Sequence, residues 1–159
     1  MGFMKGKIED YSSPLAGLPA RLYAGYFFLK YGLHKVTTGF GQEELQKTLV
    51  SWPTATRYGF YAPFLAKVVM PHAAIFAMLV TFGEITVGAA LLAGCAARLA
   101  ALGGIFLCLN FLFASGAPLL SVEQPVVFAL LLLTICATAA GRALGLDYFL
   151  RRRLPGWAS

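Results

Sequence analysis

Charge is what this sequence has least of. Of its 159 residues seven are acidic and 13 basic, so charged side chains make up 13%, where a globular domain carries about a quarter. With 58% hydrophobic residues and a mean hydropathy of +0.71, the chain has too little solvating surface for an ordinary water-soluble domain and needs lipid to cover it. This length leaves room for one domain and about four spans of about 20 residues each, with little over for an extramembrane enzyme domain. Any chemistry then sits in or against the bilayer.

Cysteine and histidine are scarce too. Cys95, Cys108 and Cys136 stand singly, a pattern that argues against a disulfide framework or a zinc site and for small apolar fillers. No ligand set for a flavin, an iron–sulfur cluster or a metal is legible, so no metal site is expected and a redox role needs a partner to bring the electron carrier. The histidines, His34 and His72, fall near the outer ends of the first two apolar segments, where an imidazole can bond a quinone carbonyl or be satisfied by headgroups and water. The net charge of +6 does not point to nucleic acid: three of the basic residues, Arg151 to Arg153, form a run just past the last apolar segment, as a topology anchor does. Lys5 and Lys7 precede an apolar stretch as in a secretory signal, but polar residues 9–13, Arg21 and Lys30 interrupt it, and it is expected to be retained.

The hydrophobic pattern predicts an all-α, integral membrane four-helix bundle in one domain, with spans at about 15–36, 72–94, 99–115 and 124–140. Between the first two lies segment 37–70, an outer amphipathic and aromatic stretch with a short helix near 42–50 and rings at Trp52, Tyr58, Phe60, Tyr61 and Phe64 that suit the headgroup layer. The second and third spans, separated around Gly94 and Arg98, form a tight antiparallel hairpin. In the tail, 141–159, Gly141 stops the last span and Asp147 caps a short interfacial helix. Lys and Arg collect at the ends that share the N-terminus, which places both termini in the cytoplasm of a bacterial-type inner membrane.

At about 100° per residue the first span gathers Arg21, Gly25, Phe28, Gly32 and Lys35 on one stripe, with Lys30 and His34 opposite. Glycines at that spacing let another helix approach closely, so the stripe should face the bundle. Glu84 lies about ten residues from the inner end of the second span, hence about 15 Å deep, and no other acid lies so deep. An isolated charge there is costly, so the expectation is an Arg21–Glu84 ion pair, either fixing helix register or handling protons. Lys30 is expected to snorkel to the outer surface or to meet a partner subunit. Asn110, Thr134 and Thr138 are expected to bond between helices.

Three segments carry a family likeness: R-L-Y-A-G-Y-F-F-L-K-Y-G-L-H-K from Arg21, G-E-I-T-V-G-A-A-L-L-A-G-C-A-A-R from Gly83, and the ending G-R-A-L-G-L-D-Y-F-L. In order and spacing they resemble the DoxX family of small membrane proteins. The resemblance implies a four-helix membrane bundle and a link to membrane redox complexes, including the small subunit of a thiosulfate:quinone oxidoreductase. The family positions it carries over are Arg21, Gly25, Gly32, Lys35, Glu84, Gly88, Gly94, Arg98 and Asp147. The resulting expectation is a membrane subunit of a quinone-linked electron-transfer complex that acts with partner chains. Arg21 and Glu84 are its candidate catalytic pair, and His34, Lys35 and His72 are the candidate residues on the quinone side. The competing readings are a structural or assembly subunit, and a standalone binder of a small lipid-soluble molecule.

Overall fold

A computed structural model describes residues 15–51, 57–119, 123–138, 140–142 and 144–147. The expected surface helix after Asp147, the arginine run, the N-terminal lysines and Trp52 lie outside these residues.

Every described element is helical: α1 (Leu18–Thr37), α2 (Gln42–Ser51), α3 (Tyr61–Phe64) continuing into a π-turn (Leu65–Val69), α4 (Ala73–Ala93), α5 (Ala97–Ser115), α6 (Gln124–Thr138), then a 3-10 turn (Ala140–Arg142). The long helices fall within a few residues of the expected spans. Pro19 opens α1 in its first turn, where the missing N–H has no partner to lose. Thr37 and Thr38 close it by donating their hydroxyls to the His34 carbonyl at 2.9 and 2.8 Å. The helical run through Tyr61–Val69 was not expected from so aromatic a stretch; Pro63 is tolerated because it too falls in a first turn. Of the described helices, α4 and α5 are long and apolar enough to cross a membrane. Helix α1 is interrupted by charge, and α6 is apolar but shorter.

Helix α1 packs on α4, α4 on α5, α5 on α6 and α6 back on α1, closing a ring. Its core is small and aliphatic, with Ala24, Leu91, Ala97, Ala101, Leu132 and Ile135 fully buried around Phe28 and Phe128. Leu45 of α2 joins Val69, Ala73 and Ala77 in a second cluster that seats the amphipathic helix on the start of α4. The segment is also tied to α5 by phenols: Tyr58 Oη donates to the Ala117 carbonyl at 3.0 Å and Tyr61 Oη to Asn110 Oδ1 at 2.6 Å. Burial pushes the Tyr61 phenol up, which keeps its donor proton in place. Asn110 thus bonds between elements as expected, whereas Thr134 and Thr138 donate to the Leu130 and Thr134 carbonyls of their own helix.

The α1–α4 contact sets the register. A methyl placed on Gly25 would stand 3.0 Å from the backbone nitrogen of Leu92, one on Gly32 would stand 2.9 Å from that of Ile85, and one on Gly88 would run into the backbone of Leu29. The two backbones touch along three turns, glycine from both sides, as helices do where lipid provides no hydrophobic drive to associate.

At the opposite end from the α1–α2 connection, which we call the hairpin end, Gly94 (φ 61°) and Ala96 (φ 47°) turn the chain from α4 into α5 in left-handed conformations. This leaves the first N–H groups of α5 without a side-chain cap of their own. Asp147, fully buried, supplies it from 50 residues away: Oδ1 accepts from Ala96 N–H at 2.6 Å and Oδ2 from Ala97 N–H at 2.9 Å. The tail helix that Asp147 was expected to cap lies outside the described residues; within them Asp147 caps α5. The backbone beside it pairs with the last carbonyls of α4, Leu146 N–H to Ala93 at 3.1 Å and Asp147 N–H to Gly94 at 2.8 Å. Helix ends normally left open to water are thereby closed by protein.

Two substitutions test this frame. Gly88→Ala pushes α1 from α4 where backbone cannot yield, and should lower stability by about 1–3 kcal/mol, the usual cost of overpacking, in detergent-solubilised thermal unfolding. Asp147→Ala strips two charge-assisted bonds from α5 and should cost about 2–4 kcal/mol in the same measurement, with Asp147→Asn falling between it and the parent.

Candidate functional site

The register decides which polar groups meet. With Gly32 against Ile85 and Gly25 against Leu92, Glu84 lies beside the end of α1 rather than its start. Lys35 reaches it: Nζ donates to both carboxylate oxygens, at 2.6 Å to Oε1. The side chains are 19% and 5% exposed, so the pair is largely withdrawn from solvent. The expected Arg21–Glu84 pair does not form, because Arg21 stands about 20 Å along α1 from Lys35 at 1.5 Å per residue. Estimating depth from each span's own end left the helix register open, and the register gave Glu84 the other cation of the stripe.

Arg21 belongs to the hairpin end. Its Nη1 donates to the Ala140 carbonyl at 2.7 Å and Nη2 to that of Leu144 at 3.4 Å. Across the same knot it is attracted by the charge of Asp147. Methyls placed on Gly94 or Gly145 would press on the guanidinium at 2.6 and 2.7 Å, so the glycines make room for it. This is an anchoring arrangement: a planar fork holding several carbonyls beside a fixed carboxylate. Asp147 is the residue whose role sequence reasoning missed. The signal available was Asp147 itself, a lone acid just past the last apolar segment.

Around the Lys35–Glu84 pair the helices part. A cavity of about 430 Å³ opens between α1, α5 and the start of α6, with Glu84 of α4 at its wall. Phe27, Phe28, Tyr31, Phe111 and Phe128 line it, with Cys108 beside them and Ser115, Glu123 and Gln124 at the end away from the hairpin. Phe27 stacks on Phe128 at 3.8 Å between centroids. The Lys35 ammonium lies 5.6 Å from the Phe40 ring and 5.9 Å from that of Phe111, so rings as well as the carboxylate surround it. Toward the hairpin end the bundle is shut by fully buried Leu91, Ala97, Leu132 and Ile135.

Of the residues singled out from sequence, the structure brings Lys35 and Glu84 together at this cavity. His34 is exposed on the far side of α1. His72 is exposed at the start of α4, with Nδ1 2.9 Å from the Val68 carbonyl. Neither lines the cavity. The arrangement offers a mostly apolar cavity with one ammonium donor and one carboxylate at its wall.

Breaking the pair from one side should be costly. Lys35→Met leaves a nearly buried carboxylate unpaired and should destabilise the protein by about 3 kcal/mol, whereas Lys35→Met with Glu84→Leu should recover most of that loss. Thermal unfolding of the two variants and the parent in detergent checks both values.

The DoxX family profile covers residues 16–117, from the start of α1 through the end of α5 and hence more than half of the chain. No curated protein and no solved structure matches. DoxX is a membrane family, in keeping with the two apolar helices. A charged glycine stripe on α1, its glycine-lined contact with α4 and the acid at Glu84 all fall within the matched stretch; the chain belongs to the DoxX family.

Proposed function

We propose that this chain is an integral membrane subunit of a quinone-linked electron-transfer complex, whose aromatic cavity receives a quinone headgroup. In this reading α1, α4, α5 and α6 all cross a bacterial-type cytoplasmic membrane, with the hairpin end inside. The excess of Lys and Arg at that end of the sequence supports this orientation. The observation that carries the proposal is the Lys35–Glu84 pair set in the wall of a ring-lined cavity of about 430 Å³. Ligand pockets of this kind are mostly apolar with a few placed polar groups.

The residues fit such a guest. Phe27, Phe111 and Phe128 offer faces against which a flat ring stacks. Lys35 is positioned to donate a hydrogen bond to a carbonyl oxygen and to offset negative charge that gathers there. Glu84, held by Lys35, can keep or pass a proton at its carboxylate. Glu123, exposed, lines the cavity at the end away from the hairpin. A bound quinone would supply a two-electron, two-proton acceptor, its electrons brought by a partner chain.

A second reading, a binder of a small lipid-soluble molecule that acts alone, is favoured by the cavity being walled by this chain's own helices. A purely structural subunit is favoured by the Arg21–Asp147 knot, which has the character of an anchor. Titrating the purified chain with short-chain benzoquinone and naphthoquinone analogues by calorimetry separates the structural reading from the two binding ones, and the activity of the assembled complex separates those two. Binding is expected, weakened about tenfold in Lys35→Met by the loss of one charged hydrogen bond. In the assembled complex Glu84→Gln should slow quinone reduction more than it weakens binding. Absence of binding leaves the structural reading, and activity of the complex without this chain removes the catalytic role.

A further inference from the structure

The outward faces of the long helices are not alike. On α4 the exposed surface is made by Ile75, Met78, Leu79 and Phe82, on α5 by Leu99, Leu102 and Phe106, and on α6 by Val127, Leu130 and Leu133. The exposed polar side chains on these three helices are Thr86, Thr134 and, at the first position of α6, Gln124; the Thr134 hydroxyl is folded onto the Leu130 carbonyl. Such faces suit acyl chains. Helix α1 is different. Opposite its buried stripe, Tyr23 (59% exposed) and Tyr26 (57%) are followed at helical spacing by exposed Lys30 and His34. These four positions form one polar line about 17 Å long at 1.5 Å per residue.

Lys30 sits about 10 Å, seven residues, from the outer end of α1. Of the two expectations for it, snorkelling outward or meeting a partner subunit, the first is not what is seen: its ammonium lies 5.8 Å from the ring of Tyr26, one turn toward the helix start and deeper into the span. Side chains on a helix lean toward its N-terminus, so this direction follows from the backbone. A lysine placed so against lipid costs about 2.5–3.5 kcal/mol on insertion scales, and tyrosine hydroxyls beside it add to the cost.

We propose that this face of α1 is an interface for a transmembrane helix of another protein that carries an Asp or Glu at the level of Lys30. The charge of the face selects the occupant. Every ionisable group on it is a base or a phenol, so a second copy in a two-fold contact would set Lys30 against Lys30 at equal depth. A helix bearing a carboxylate there neutralises the ammonium and can accept from the Tyr26 hydroxyl. The proposal rests on the membrane-embedded reading of the bundle and gives the partner subunit its docking surface, but it is independent of what the cavity binds.

The test is photo-crosslinking in native membranes with benzoylphenylalanine at Tyr26, and at Leu79 on α4 as the lipid-facing control. Mass spectrometry should find at Tyr26 a membrane-spanning peptide of another protein containing an acid, and at Leu79 lipid. Lys30→Glu should reduce the Tyr26 crosslink roughly tenfold or more, and changing the identified acid to Lys should restore it. Lipid alone at Tyr26, a second copy of this chain, a partner peptide without an acid, or a crosslink insensitive to Lys30→Glu each overturns the proposal. Protein crosslinks at Leu79 would instead count against the lipid-facing assignment. Quinone-analogue binding by the purified Lys30→Glu chain reports on the cavity separately, and its persistence shows that the variant is folded.

Discussion

Contact between the backbones of α1 and α4 is the constraint on which the rest depends. Gly25 and Gly32 on one helix and Gly88 on the other remove the side chains that would hold the helices apart. At that separation the helices cannot slide without setting a Cβ against a main chain. One register follows, and with it the level of each charge. Lys35 comes to Glu84, while Arg21 comes to the turn after Gly94. A register shifted by a turn or more would part Lys35 from Glu84 and Arg21 from the turn after Gly94, and open both ends of the bundle. The glycines therefore do more than permit packing: they assign the ion pairs.

The polar groups are consequently sorted by level. At the hairpin end the described bonds of Asp147, Leu146 and Arg21 close helix termini: Asp147 on the start of α5, the backbone of Leu146 and Asp147 on the end of α4, and Arg21 on the carbonyls that follow α6. In hydrocarbon these backbone groups would have no water to turn to. At the other level Lys35, in the last turn of α1, and Glu84, in the middle of α4, spend their side-chain bonds on each other and not on a helix terminus. They stand instead at the wall of a cavity, among rings. An ion pair that serves no terminus and faces an open space is the group in the bundle least explained by folding alone.

Much of this was legible in the sequence. Hydropathy located the four long helices to within a few residues, and helical spacing placed Arg21, Gly25, Phe28, Gly32 and Lys35 on the inward face, with Lys30 and His34 outward, as the burial pattern has it. Pairing between helices was not legible. Periodicity reports the face a residue takes, but the offset between two antiparallel helices is set by which glycines meet, and several glycines on each helix leave more than one offset. For the same reason Asp147 read as a local cap, because its real partners at Ala96 and Ala97 are separated from it by two helices. The helical run through Tyr61–Val69 was hidden by its proline and its rings, which spoke for the interface and not for backbone conformation.

The chemistry of the two cations agrees with their placement. Arginine keeps its charge at any physiological pH and spreads its donors in a plane, which suits the permanent work of holding the Ala140 and Leu144 carbonyls beside Asp147. Lysine is a compact donor on a flexible stem, able to turn from one acceptor to another, and a carboxylate can take or yield a proton. Were the Glu84 pair only a brace, an arginine fork gripping both oxygens would serve it better, and an open cavity beside it would be a defect to be filled. On the proposed reading, the exchangeable cation at the cavity and the fixed one at the sealed end separate a site from a scaffold within a single stripe of α1.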